Sequence, residues 1–127
     1  MSRKLLDEQH VHPAIRDRLG AYHANVVDEV KAAIAQHQVV VVGMRLNPFP
    51  AKARRTLDKL GTPYTYLEYG SYLSQWKPRL ALKLWSGWPT FPLIFVNGML
   101  IGGATDLQQL IDNGQFAALL AAPRLAG

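Results

Sequence analysis

The chain has 127 residues, 49% of them apolar and 18% charged, which suits one domain with a buried core. Fourteen Lys and Arg against nine Asp and Glu give a formal net charge of +5, read either as simple solubility or as attraction to an anionic partner: a small acid, an acidic protein face or nucleic acid. Cysteine is absent, which excludes disulfides, ligation of an iron–sulfur cluster by the chain's own thiolates, and thiol–disulfide exchange through its own sulfur.

Residues 1–22 are polar and mixed, and are read as an arm with a short helix near Pro13–Leu19. The opening "MSRKLLDEQHVHP" has no apolar signal-peptide core. The longest apolar run, "VVVVGM", is too short to cross a bilayer. The expected compartment is therefore the cytoplasm, without a membrane partner. His10 and His12 form an H-x-H pair with no carboxylate or thiol cluster at ligand spacing, so no metal site is expected.

A domain is expected over residues 23–122, with a tail over 123–127. In "NVVDEVKAAIAQ", Val26, Val27, Val30 and Ile34 share one helical face, predicting a helix from about Asn25 to Gln36. "QVVVVGM" is a β-branched run and reads as a strand buried on both faces. "NPFPAKARRTLDKLG" opens with prolines and ends at Gly61, the usual asymmetry of a helix start and stop. "TPYTYLEY" alternates as a strand, "GSYL" is a turn, and "SQWKPRLALKLWSG" is a helix starting properly at Pro78 and closed by Gly87. "LIFV", Asn97-Gly98 and "MLIG" make a β-hairpin. "ATDLQQLIDNG" is a short helix capped by Gly114, and "QFAALLAA" is a last helical segment. Strands linked through helices imply parallel pairing and right-handed crossovers, with the hairpin adding two antiparallel strands at one end. The expected architecture is α/β: a four-stranded mixed sheet flanked by helices.

Three stretches in this order resemble the glutaredoxin family of the thioredoxin-like superfamily. They are "VVVVGMRLNPFPAKARRTLDKLGTPY", "WPTFP" (Trp88 to Pro92) and "NGMLIGGATDL" (Asn97 to Leu107). The resemblance spans about Asn25 to Ala121 and implies a thioredoxin-like fold with an extra N-terminal arm. The family carries Cys-Pro-Tyr/Phe-Cys or Cys-Gly-Phe-Ser at its active site, where this chain reads Asn47, Pro48, Phe49 and Pro50. The catalytic positions are thus degenerate, because asparagine offers no ionisable nucleophile and forms no mixed disulfide.

The resemblance also implies a glutathione site. Thr90, Phe91 and Pro92 match the family's Thr-X-Pro segment with its cis proline, whose middle residue offers backbone groups to the ligand. Arg79 matches the helix arginine that meets the glycine carboxylate. Gly103, Ala104, Thr105 and Asp106 match the helix start that holds the γ-glutamyl end, where free N–H groups and the dipole favour a carboxylate. The family's lysine before the active-site turn is missing: Met44 stands three residues before Asn47, and Arg45, two before, is the substitute.

Blander roles stand beside these. Asn47 is a good helix N-cap type, Thr105 and Asp106 suit a cap, and Gly102 and Gly103 suit close packing. Lys52, Arg54, Arg55 and Lys59 lie on one helix and read as a solvated face; alternatively Lys52 and Arg55 flank the site and, with Arg79 and Lys83, form a basic rim for glutathione or an acidic protein. The aromatic stretch Tyr64–Trp76 is either core or a contact surface. Nucleic acid is disfavoured, since no nucleic-acid module is legible. The expected function is a glutaredoxin-like protein without a catalytic thiol that binds glutathione, or a small acidic peptide-like ligand, as adaptor or sensor. Neither a metal nor an iron–sulfur cluster is expected. The alternatives are an oxidoreductase or transferase that uses the thiol of bound glutathione, and a protein-contact module with a vestigial cleft.

Overall fold

The computed structural model describes residues 24–70 and 76–123. The arm at 1–22, the helix expected near Pro13–Leu19, the "GSYL" turn beyond Gly70, and the tail beyond Pro123 lie outside the described residues. No described helix is long and apolar enough to cross a membrane.

The elements in chain order are α1 (Ala24–Gln36), β1 (Val39–Gly43), α2 (Pro48–Leu60), β2 (Thr65–Glu68), α3 (Trp76–Ser86), β3 (Leu93–Val96), β4 (Met99–Gly102), α4 (Ala104–Asp112) and α5 (Gln115–Ala121). The sheet order is β2-β1-β3-β4. Every residue of β1 is buried, as its unbroken β-branched run requires, and its side chains alternate between two cores. Val40 and Val42 pack with Val26 and Val30 of α1 and Leu82 of α3. Val39 and Val41 pack with Ala53 and Leu57 of α2 and with Leu107 and Phe116 of α4 and α5. The result is a thioredoxin-like fold: a four-stranded mixed sheet with helices on both faces.

β1 and β2, joined through α2, pair in parallel. The expectation of parallel pairing does not extend to the next helix-linked strand. β3, reached through α3, lies antiparallel to β1 and is separated from β2 by it. This leaves the apolar β1 central, with the more exposed β2 at one edge and β4 at the other.

The hairpin turn has φ 50 at Asn97 and φ 84 at Gly98, the two positive values that an Asn-Gly type I′ turn supplies. Buried Asn97 does more than turn the chain: its Nδ2 donates to the carbonyls of Leu119 at 2.7 Å and Ala122 at 3.1 Å, tying the hairpin to the end of α5.

Two helix limits differ from the sequence reading. α3 starts at Trp76 rather than Pro78. Its proline then falls in the first turn, where a missing N–H costs no intrahelical bond. α4 ends at Asp112 and is capped by Asn113, not Gly114. Gly114, at φ 79, is instead the residue that turns the chain into α5.

Candidate functional site

The site lies where the end of β1 and the starts of α2 and α4 meet the segment before β3. Gly43 closes β1 against α2. A Cβ built on it would stand 2.7 Å from Pro50 Cβ and 3.0 Å from the Tyr66 hydroxyl oxygen. The buried Pro50 therefore packs directly on the strand backbone, at the position aligned with the fourth residue of the Cys-Pro-Tyr/Phe-Cys pattern. Next come buried Met44, exposed Arg45, and Leu46, which has φ 63 and is 83% exposed.

Asn47 is the N-cap of α2. Its backbone is extended, and its Oδ1 accepts from the Phe49 amide at 2.9 Å. Pro48 and Pro50 carry no amide hydrogen. The first three helical positions of α2 thus have a single N–H among them, and Asn47 holds it. An anion here has no first-turn amide open to it.

The start of α4 is built differently. Its N-cap, Gly103, has no side chain to offer, so no side chain caps the first-turn amides. Asp106 Oδ2 accepts instead from the Gly103 amide at 2.9 Å, just upstream of the helix. The preceding Gly102 has φ 107, and a Cβ on it would come within 2.6 Å of that carboxylate oxygen. Glycine is required there on both counts. α4 is left with unclaimed N–H groups and the positive end of its dipole, conditions that favour an anion.

Those groups open on a cleft of about 240 Å³. Phe49, Trp88 and the segment Thr90–Pro92 form part of its wall, and Gly103–Asp106 the rest. The Phe91–Pro92 peptide bond is cis. Trp88 anchors the segment through its amide, which donates to Ser86 Oγ at 3.1 Å. Its indole Nε1 is buried without a hydrogen-bond partner, and a Cβ on Gly103 would lie 3.8 Å from it.

The structure thus brings together Phe49, Thr90, Phe91, Pro92, Gly103, Ala104, Thr105 and Asp106 of the residues singled out in the sequence. Arg45 and Arg79 do not line this cleft. The Arg45 amide donates to the Gly70 carbonyl, and its side chain is exposed. Arg79 is buried, with Nη1 donating to the Tyr69 carbonyl at 3.2 Å. The Tyr69 hydroxyl in turn donates to Glu29 Oε1, so Arg79 and Glu29 together hold Tyr69, the residue that follows β2. A cation that is set against a cleft residue is Lys83, whose Nζ lies 5.6 Å from the centre of the Phe91 ring.

The expected basic rim is therefore divided: Lys52 and Arg55 face a separate groove together with Lys59, away from Arg79 and Lys83. Arg54, on the same helix, turns toward β2, with its guanidinium 4.1 Å over the Tyr66 ring. Of the aromatic stretch, Tyr69 is core, Tyr64 and Tyr66 pack on the second core, and Tyr72 lies outside the described residues. Among the described residues, no group of three or more His, Asp or Glu is placed to hold a metal ion.

The family model for glutaredoxin matches residues 39–101. A glutaredoxin-like protein of Dictyostelium discoideum is 43% identical over 100 residues, covering 79% of this chain and 81% of its own. The crystal structure of wheat glutaredoxin superposes with a TM-score of 0.67 at 28% identity, over 77% of this chain and 94% of its own. A buckwheat glutaredoxin–glutathione complex gives 0.68 at 20% identity over 77% and 89%, a likeness of fold.

Proposed function

The chain belongs to the glutaredoxin family, and from that premise we propose that it binds glutathione, or a peptide with a similar carboxylate end, without thiol chemistry of its own. The observation that carries this reading is the contrast between two helix starts. The start of α2, where the family's reactive sulfur belongs, holds Asn47 in a cap and has no first-turn amide to spare. The start of α4 has no side-chain cap and faces the cleft. A carboxylate bound there would meet backbone N–H groups, while Phe49, Trp88 and Phe91 offer apolar wall to the body of the ligand. The buckwheat relative of this fold was crystallised with glutathione, which agrees with the ligand class. Binding without a reagent suits an adaptor or sensor.

The test is an amide NMR titration of the full chain with S-methyl glutathione, which has no thiol to react. Saturating shifts at Phe91, Ala104 and Thr105 with a dissociation constant below the millimolar range are the expected outcome. Absence of shifts at millimolar ligand would overturn the reading and leave the cleft as inherited fold.

A further inference from the structure

A second concavity, of about 530 Å³, runs between α2 and α4 beyond the cleft. Its chemistry follows from the helix period. α2 turns Ala53 and Leu57 into the core shared with Leu107 of α4. Lys52, Arg55 and Lys59, at i, i+3 and i+7, then fall along one flank and line the groove. Arg54 goes to the opposite flank, against Tyr66. Among the described residues, no acidic side chain lines the groove. Of the α4 carboxylates, Asp106 accepts from the Gly103 amide, and Asp112 accepts from Gln108 Nε2 at 2.9 Å.

The occupant is set by charge, length and floor. Lys52 to Lys59 spans about 10 Å of helix, so the three cations do not converge on one small anion. Leu60, which is 48% exposed, and Ile111 supply apolar floor beside them. Among the described residues, no aromatic side chain lines the groove to stack a base. We propose that this groove docks an acidic segment of a partner protein, with several carboxylates along about 10 Å and an aliphatic residue among them. The surface is separate from the glutathione cleft, so either reading stands if the other fails.

The test uses the full chain and a short fluorescein-labelled peptide alternating pairs of glutamate and leucine. A glutamine-for-glutamate version is the control and oligo-dT the competitor. Anisotropy should show binding of the acidic peptide that weakens roughly tenfold or more in Lys52→Glu/Arg55→Glu/Lys59→Glu. Lys31→Glu, an exposed charge change on α1, should leave it unchanged. Wild-type amide shifts should map to Thr56, Gln108 and Ile111, a readout independent of the variants' folding. Equal binding of the glutamine peptide, shifts elsewhere, or displacement by oligo-dT at the same amides would each overturn the proposal.

Discussion

Asn47 Oδ1 accepts the Phe49 amide hydrogen at 2.9 Å, and this one bond defines what the first turn of α2 can do. With prolines on either side of Phe49, the helix start is both well capped and poor in donors. A helix start that stabilises a thiolate does so through free N–H groups and the dipole. Here the dipole remains and the donors do not. The loss of the sulfur is accompanied by a local structure that no longer supplies its environment.

Restoring the sulfur tests this directly. Asn47→Cys frees the Phe49 amide as the one first-turn donor for a thiolate. Its thiol should titrate below a free cysteine, because one amide and the helix dipole face it, but above the strongly activated range. Glutathione-disulfide exchange should then become measurable. Adding Pro50→Ala returns a second N–H and should lower the value further. Alkylation rate against pH reads both; a thiol at or above the free-cysteine value in Asn47→Cys would refute the account.

Gly43 and Pro50 make a second prediction. A Cβ at residue 43 would stand 2.7 Å from Pro50 Cβ, closer than packed carbons allow, and both partners are held by regular elements. Gly43→Ala should cost roughly 2 kcal/mol through overpacking, measured by urea unfolding. Pro50→Gly removes the opposing atoms, so the double variant should show a positive coupling. Simple additivity would mean that the contact is not the cause.

Much of this architecture is legible in the sequence because it rests on local rules. Asn97-Gly98 needs two positive φ values and has them, and Asn47 before a proline is a cap. Burial of β1 follows from four consecutive valines. What is not legible depends on rotation and order in space. Counting along α3 finds Arg79 but not which flank of the helix it occupies, and the structure turns it to the Tyr69 carbonyl. The strand order puts β1 between β2 and β3, which no local pattern states. Pro50 reads in sequence only as a missing sulfur, although a glycine closing a β-branched run was a signal of close backbone approach. The division of the basic residues between two flanks was available from the helix period alone.

Leu46 offers a stabilising change. It is 83% exposed and has φ 63, a region costing a branched side chain about 1–2 kcal/mol that asparagine visits more readily. Leu46→Asn should therefore raise stability by about 0.5–1 kcal/mol, seen as a higher urea midpoint with an unchanged slope. A lower midpoint would show that the leucine side chain makes a contact that outweighs its backbone strain.

The tyrosines of β2 and the residue after it set the alkaline limit. Burial, and then its hydrogen bond to Glu68, pushes the Tyr66 hydroxyl up to about 12, against a lowering influence from Arg54. Burial, and then the bond to Glu29, pushes Tyr69 up as well. In the unfolded chain both ionise near 10. Between about pH 10 and 12 the native state therefore holds protons that the unfolded state has lost, so stability falls as pH rises. The contribution is complete below the unfolded value and is lost as pH passes through the folded one. Urea unfolding across that window should show a declining midpoint, with a shallower decline in Tyr66→Phe. Tyrosinate absorbance of the wild type, compared with Tyr66→Phe and Tyr69→Phe, should assign ionisations above 10 to Tyr66 and Tyr69. Ionisation of Tyr66 and Tyr69 near 10 in the native chain would mean that neither hydroxyl is buried and bonded as described.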